Sequence, residues 1–372
     1  MRLRVATFNV ENLSARWRFA EAQRGESAAA LSLADFAHPK ERQAAERTLA
    51  LALEDDKRQM TALAIAETRA DILCLQEVDS LRVLDAFFAN YVHRVADTRY
   101  GNFRLLDGND RRGIDVAFAC RRDLLSRDVE VTSHAEATFG DFDVWDRDIG
   151  AFGIQRDDRV FNRDCLMVDV DMGKRALTLF VVHLKSMNNG RDDGRAATMP
   201  LRRAEARAVR ALVERRFGPD WRNAPWIIAG DLNDYTCRVV GDSVADAGAS
   251  GIDPLLDRFA VNPVDALPCR ERWTHFHRAW SETKGDYVAE HVQLDYVLLS
   301  PALAAAGEVG VDIIRRGLPY RVPLDPAHPE RSVARLSTTG DRYPRVGWDR
   351  PKASDHCPLV VEFTLPRRGG MT

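Results

Sequence analysis

Trp226-Ile227-Ile228-Ala229-Gly230-Asp231-Leu232-Asn233-Asp234 is the stretch on which the reading of this chain turns. Pro225 precedes a short apolar run, which reads as a buried strand. Gly230 lets the backbone bend or come close to a ligand. Asp231 and Asn233 lie two residues apart, and such residues share a face of an extended chain. The run thus brings a carboxylate and an amide to one strand end. Such a pair orients a water, holds a phosphoryl oxygen or shares a hard metal ion. The same letters also spell an Asp/Asn turn, and the choice rests with the other segments.

The chain of 372 residues has room for one large domain or two modest ones. A hydrophobic content of 45% supports a real core, and 29% charged residues suit a soluble surface. No apolar run approaches the roughly 18 residues of a membrane span. Leu3-Arg4-Val5-Ala6-Thr7-Phe8 reads as a strand, so no signal peptide is expected. A net charge of -3 argues against coating nucleic acid through bulk charge but leaves room for a local basic cleft. The six cysteines show neither C-x-x-C nor zinc-ligand spacing. Cys74, Cys120 and Cys165 sit in or beside apolar runs, as small hydrophobes do. A reducing, cytoplasmic setting is the expectation.

Residues 2–8 form a first strand ending in Asn9-Val10-Glu11-Asn12, where Asn9 and Glu11 share a face. From Ser14 to His38 the pattern is weak, and Trp17 and Phe19 suggest a packed loop or short helix. Residues 40–69 have helical spacing without Pro or Gly, fitting two helices or one bent one. Asp71–Val78 is a second strand with Gln76 and Glu77 at its far end, and residues 80–90 look helical. Arg111-Arg112-Gly113-Ile114-Asp115 then leads into a strand, and residues 141–164 read as loop. Arg163-Asp164 enters the strand Cys165–Val170, and Leu177–Val182 closes with His183-Leu184-Lys185. A polar loop at 188–199 precedes an amphipathic helix, Leu201–Phe217. His275 and His277 have no nearby Cys or third His to complete a zinc set and are read as structural. The strand Val292–Leu299 carries Asp295 where an apolar residue is expected. Residues 317–353, with many prolines and arginines, suit a lid or an insertion. Ser354-Asp355-His356 precedes the last strand, Leu359–Leu365. The domain expectation is one unit over 1–366, with insertions near 14–60, 141–164 and 317–353 and a tail at 367–372.

Polar residues therefore recur at strand ends: Asn9, Glu77, His183, Asp231 with Asn233, Asp295 and Asp355-His356. Together they make the set that metal-assisted phosphoryl transfer requires. Adjacent strand residues face opposite ways, so Asp355 and His356 serve one site only from a loop before the strand. The stretches Thr7-Phe8-Asn9-Val10-Glu11-Asn12, Leu75-Gln76-Glu77-Val78, Gly113-Ile114-Asp115-Val116-Ala117, Val182-His183-Leu184-Lys185-Ser186, Gly230-Asp231-Leu232-Asn233, Leu294-Asp295-Tyr296-Val297 and Ser354-Asp355-His356 span nearly the whole chain. In these stretches, and in their order, the chain resembles the endonuclease/exonuclease/phosphatase superfamily. The resemblance implies an α+β fold: a four-layer αββα sandwich of two mixed sheets face to face, helices on both outer faces, and the site at one end of the sheets.

The resemblance also assigns roles. Glu77 would be the main metal-binding carboxylate, with Asn9 and Asp355 near the same ion, and this all-oxygen set suits Mg2+ or Mn2+. His356 would bond a phosphate oxygen or the attacking water, with Asp295 fixing its tautomer. Asp231 would orient or deprotonate the water, Asn233 would hold a non-bridging oxygen, and His183 would stabilise developing charge. Either Asp231 or His356 could be the base. Glu11 stands where several nucleases carry Asp, a candidate for the metal's outer surroundings. Arg112, Arg163 and Lys185 are candidates for binding a further phosphate, and Asp115 for orienting a neighbouring His or Arg. Asp234-Tyr235 departs from the Tyr-Arg continuation of inositol phosphatases.

The leading reading is a Mg2+-dependent phosphodiesterase, foremost a nuclease acting on DNA or RNA, with no membrane role. The alternatives are a phosphomonoesterase acting on an inositol, sugar or lipid headgroup, and an inactive binding protein of the same fold.

Overall fold

The computed structural model describes residues 1–15, 31–188, 194–241, 243–281, 285–324 and 342–368. The readings of Trp17 and Phe19, of part of the 188–199 loop, of residues 325–341 in the Pro-rich stretch and of the last four tail residues lie outside the described residues.

A first, mixed sheet is built from β1 (Arg2–Leu13), β2 (Ile72–Val78), β3 (Tyr100–Leu105), β4 (Asp115–Arg121) and the late strands β14 (Gly310–Ile313) and β15 (Leu359–Thr364). Its order is β14-β15-β1-β2-β4-β3, with β1 parallel to β2. The second sheet contains β5 (Glu130–Thr132), β6 (Cys165–Asp171), β7 (Ala176–His183), β8 (Trp226–Asp231) and β13 (Asp295–Leu299). Its order is β13-β8-β7-β6-β5, with β7 parallel to β8. A third, smaller antiparallel sheet joins β9 (Cys237–Val240), β10 (Ser243–Asp246), β11 (His275–Ser281) and β12 (Asp286–Val292) in the order β10-β9-β12-β11. That sheet lies between Cys237 and Val292, ahead of the strand read from the sequence at Val292–Leu299.

The continuous apolar runs of the central strands follow from burial on both faces. Alternate residues serve two different cores. Leu3, Val5, Ile72, Cys74, Val116 and Phe118 of the first sheet meet Leu179, Val181, Ile227, Ala229 and Val297 of the second in one shared cluster. The intervening residues Phe8, Leu73, Leu75 and Ala119 face outward onto α1 (Pro39–Thr68) and α2 (Leu81–Phe87). On the other side Phe180, Trp226, Ile228 and Leu298 pack beneath α3 (Gly194–Phe217). Helices outside, two sheets inside: the expected αββα sandwich is the observed fold.

Of the local expectations, the first is narrowed to one of its two alternatives and the other two are corrected. First, α1 is a single helix, and its second half carries most of its buried residues, Met60, Ala62, Ala64 and Ile65. Second, α3 begins at Gly194 and runs through Pro200 rather than starting after it. Proline removes one backbone donor, but Arg195 and Arg202, on either side, both bond the Asp234 carboxylate and hold the first turns in place. Third, Cys237 and Cys269 are joined by a disulfide, whereas Cys74, Cys120, Cys165 and Cys357 are free and buried. The reading of the cysteines as uniformly reduced therefore does not hold for this pair. No helix among the described residues is long and apolar enough to cross a membrane.

Candidate active site

The alternation that fills the inter-sheet core also sets the site. Leu3, Val5, Thr7 and Asn9 follow one face of β1, and Leu177, Leu179, Val181 and His183 one face of β7. Ile227, Ala229 and Asp231 continue that face on β8, as Asp295, Val297 and Leu299 do on β13. The apolar core thus ends in a polar mouth. His183 pairs in register with Asp231, and Asp231 with Asp295, giving a row across three neighbouring strands.

Gly230 makes the row possible. Its φ is +156°, and a Cβ there would lie 1.8 Å from the Val182 carbonyl oxygen. Asn233 has φ +51° and turns back, donating its backbone N–H to Asp231 Oδ1 and its side-chain N–H to Leu184 O. Glu77 falls outside the alternation. The register of β2 and β4 shifts between Leu75 and Val78, and Glu77 has φ +66°. Such a bulge re-aims a side chain, and one Glu77 oxygen accepts the Asn12 N–H at 3.0 Å.

Asp355 and His356 come from a loop ahead of β15, the arrangement that the strand geometry required. Ser354 fastens this loop: its hydroxyl donates to Asn9 O at 2.7 Å and accepts the His356 N–H at 3.1 Å. His356 Nδ1 is 2.9 Å from Asp295 Oδ2, and its Nε2 is 3.8 Å from Asp231 Oδ2. Asn9 donates to the same Asp231 oxygen at 3.1 Å, and His183 Nε2 is 3.4 Å from it. Asn9, His183, Asp231, Asp295 and His356 are therefore one buried cluster.

Electrostatics divide the labour within it. Burial, with the Asp295 charge adding to it, pushes Asp231 up to about 7, although His356 opposes the shift. Burial works against a charged His356, yet Asp295 and Asp231 hold it well above the ordinary histidine range. Burial and then Arg163 hold His183 well below that range, so it is neutral. Glu77 is raised by burial and by the Asp355 charge. A buried carboxyl whose ionisation a neighbouring carboxylate opposes is a fitting place for a divalent cation.

Other predicted residues stand at the edge. Glu11 is claimed by Lys352 at 2.8 Å and Lys57 at 3.5 Å. Arg163 is buried, bonding Asp110 Oδ2 and Leu184 O, and Arg112 bonds the same Asp110 carboxylate. Both arginines act electrostatically on Glu77 and His183. Lys185 is tied through its backbone to Glu205, and Arg163 helps to lower its pKa after burial. Asp115 bonds the Gly108 N–H rather than a His or Arg side chain, and burial pushes it up to about 7.

Sequence reasoning passed over three contributors. Thr274 Oγ1 accepts the Leu294 and Asp295 backbone N–H groups and so fixes the start of β13. Lys352 is the first of the charges holding Asp355 well below the usual carboxylate range against burial. His275 was read as structural for want of a third ligand nearby, but the fold supplies one from far along the chain. His275, Asp355 and His356 present donor atoms within 4.8 Å of one another, a group that could hold a metal ion.

With this geometry in hand, the sequence profile of the endonuclease/exonuclease/phosphatase family matches residues 6–356. The chain belongs to that family, and membership supports hydrolysis of phosphoester bonds. Among solved structures it is similar to truncated Caenorhabditis elegans TDP2, at 14% identity and a TM-score of 0.49, with 98% of each chain covered. It is similar to an endonuclease/exonuclease/phosphatase family protein from Leptotrichia buccalis at 12% identity and a TM-score of 0.49, covering 98% of this chain and 100% of that one. A third likeness is to AP endonuclease LMAP from Leishmania major, at 16% identity and a TM-score of 0.47, covering 98% and 88%. No curated protein matches the chain.

Proposed function

We propose that the protein is a Mg2+- or Mn2+-dependent phosphodiesterase acting on nucleic acid, DNA or RNA, by in-line attack of water. The observation that carries this reading is the single oxygen Asp231 Oδ2, approached by Asn9 at 3.1 Å, His183 at 3.4 Å and His356 at 3.8 Å. A carboxylate so surrounded, with a pKa near 7, suits a general base at neutral pH. Asp231 orients the attacking water and takes its proton.

His356, charged and fixed by Asp295, donates from Nε2 to a phosphate oxygen, which gains negative charge as the water adds. Neutral His183 donates to the equatorial oxygens. Asn233 spends one side-chain N–H on Leu184 O and has a second for a non-bridging oxygen. Arg163 and Arg112 with Lys185 form the basic wall for a phosphate beside the scissile one.

Glu77, Asn9 and Asp355 are the residues that would hold the divalent ion. When bound, it neutralises phosphate charge and stabilises the leaving oxygen. Glu11 acts on that region through Lys352 and Lys57, and through its backbone N–H, which donates to Asn9 Oδ1 at 3.0 Å.

The test compares bis-nitrophenyl phosphate, nitrophenyl phosphate, plasmid DNA and single-stranded RNA, with Mg2+, Mn2+ or EDTA. Diester and nucleic-acid cleavage that EDTA abolishes is the expected result. Monoester turnover without diester turnover overturns the phosphodiesterase, and no metal-dependent turnover on any substrate overturns catalysis.

A further inference from the structure

His275 is out of pattern for a structural histidine. His277, two residues on, lies 3.1 Å from Glu290, His291 donates to Pro323 O at 2.9 Å, and His134 bonds Cys165 O at 2.8 Å. The His275 ring is largely buried, with 16% of its side chain exposed, yet its Nδ1 has no hydrogen-bond partner among the described residues. Its Nε2 points toward Asp355 Oδ2 at 3.9 Å, too far for a hydrogen bond. Buried polar groups are ordinarily bonded, and this one is not.

The backbone places the ring deliberately. His275 forms an isolated antiparallel bridge with His356, reinforced by the Cys357 N–H to Thr274 O bond at 2.7 Å. The two rings lie 4.7 Å apart, centroid to centroid. His356 Nδ1 is occupied by Asp295. Among the described residues, His275 is therefore the imidazole beside Asp355 that holds no hydrogen bond at Nδ1 and meets the Asp355 carboxylate with Nε2 only at 3.9 Å. Metal–ligand bonds of about 2.0–2.2 Å let two donors on one ion stand up to roughly 4.3 Å apart, and the 3.9 Å separation fits.

We propose that His275 supplies a nitrogen ligand to the divalent ion bound at Asp355, making the centre a mixed nitrogen–oxygen site. This deepens the metal-dependent reading above and rests on it. Imidazole favours first-row transition ions, whereas Mg2+ prefers an all-oxygen shell. The site therefore takes Mn2+, and ions later in that row, in preference to Mg2+.

Pulsed electron paramagnetic resonance of Mn2+ on the full-length, metal-stripped protein reads the ligand directly through its coupling to 14N. The wild type shows that coupling, His275→Gln loses it, and His277→Gln keeps it. Mn2+ affinity falls roughly 10–100-fold in His275→Gln, the scale on which even outer partners of a ligand act, while Mg2+ affinity changes far less. Should His275→Gln fail to fold, His356→Gln serves as the converse: coupling that persists there supports His275, and coupling that disappears assigns the nitrogen to His356. Coupling that survives His275→Gln also overturns the proposal. Mn2+ bound through oxygen alone while diester turnover continues overturns the nitrogen ligand and leaves the phosphodiesterase standing. Absence of Mn2+ binding while EDTA-sensitive diester turnover with Mg2+ continues overturns the nitrogen ligand alone, and absence of Mn2+ binding together with absence of any metal-dependent turnover overturns both.

Discussion

Asp231 stands directly opposite Asp295 in the antiparallel register of β8 and β13, two buried carboxylates at the mouth between the sheets. His356 reconciles them. It bonds Asp295 through Nδ1 and turns Nε2 toward Asp231, so one imidazolium lies between two acids of different task. Asp295 keeps His356 charged and aimed, and burial together with the Asp295 charge raises Asp231 although that imidazolium opposes the shift.

Asp295→Asn should leave the fold intact and cut kcat by roughly 10^3–10^4, the scale seen when a buried orienting carboxylate becomes an amide. KM for the diester should hardly change, because Asp295 touches His356 rather than substrate. Steady-state kinetics on bis-nitrophenyl phosphate give the split. A loss confined to KM would remove Asp295 from its orienting role.

Gly230→Ala should destabilise the protein by at least about 3 kcal/mol or prevent folding. The added Cβ meets the Val182 carbonyl at 1.8 Å, a backbone atom of the adjacent parallel strand that cannot step aside. Urea unfolding measures the change.

Arg202→Met should cost about 3 kcal/mol. Arg202 is fully buried and donates to Asp234, Thr198 and the Arg195 carbonyl. Removing it leaves Asp234, itself buried, with Arg195 as its one cation among the described residues. Calorimetric unfolding of the variant checks this, and an unchanged midpoint would contradict the account of how α3 crosses Pro200.

His291 should make stability pH-dependent. Burial pushes it down to about 4, whereas the unfolded chain protonates near 6.5. Between these values the unfolded state binds more protons, so stability falls as pH drops through the window and levels off below it. The contribution is about 3 kcal/mol. Unfolding free energies at pH 4.5 and 7.5 should differ less in His291→Gln than in the wild type.

Much of this was legible in the sequence, and the residues show why. Residues such as Ile72–Leu75 and Trp226–Ala229 are buried on both faces, so their strands appear as unbroken apolar runs. The third sheet did not announce itself: Cys237–Val240 and Ser243–Asp246 are mostly half-buried or exposed and mix polar with apolar residues. Asp231 was readable as a polar strand end because strand periodicity is local, but Asn233 does not share its extended face: β8 stops at Asp231, and Asn233, at φ +51°, turns back to donate its N–H to Asp231 Oδ1. His275 was not readable, because its partners stand on a loop that only the fold brings back. Glu77 needed a bulge and a positive φ to reach the site, and neither follows from residue spacing.

The account stands on Asp231 activating water at a divalent-metal site. Single-turnover cleavage of a labelled DNA or RNA diester, by wild type and Asp231→Asn at equal metal saturation, tests it most directly. The account predicts Mn2+- or Mg2+-dependent cleavage by the wild type, a rate lower by roughly 10^2–10^4 in the variant, and unchanged metal binding. Equal rates in the two proteins, or wild-type cleavage that persists in EDTA, would contradict it.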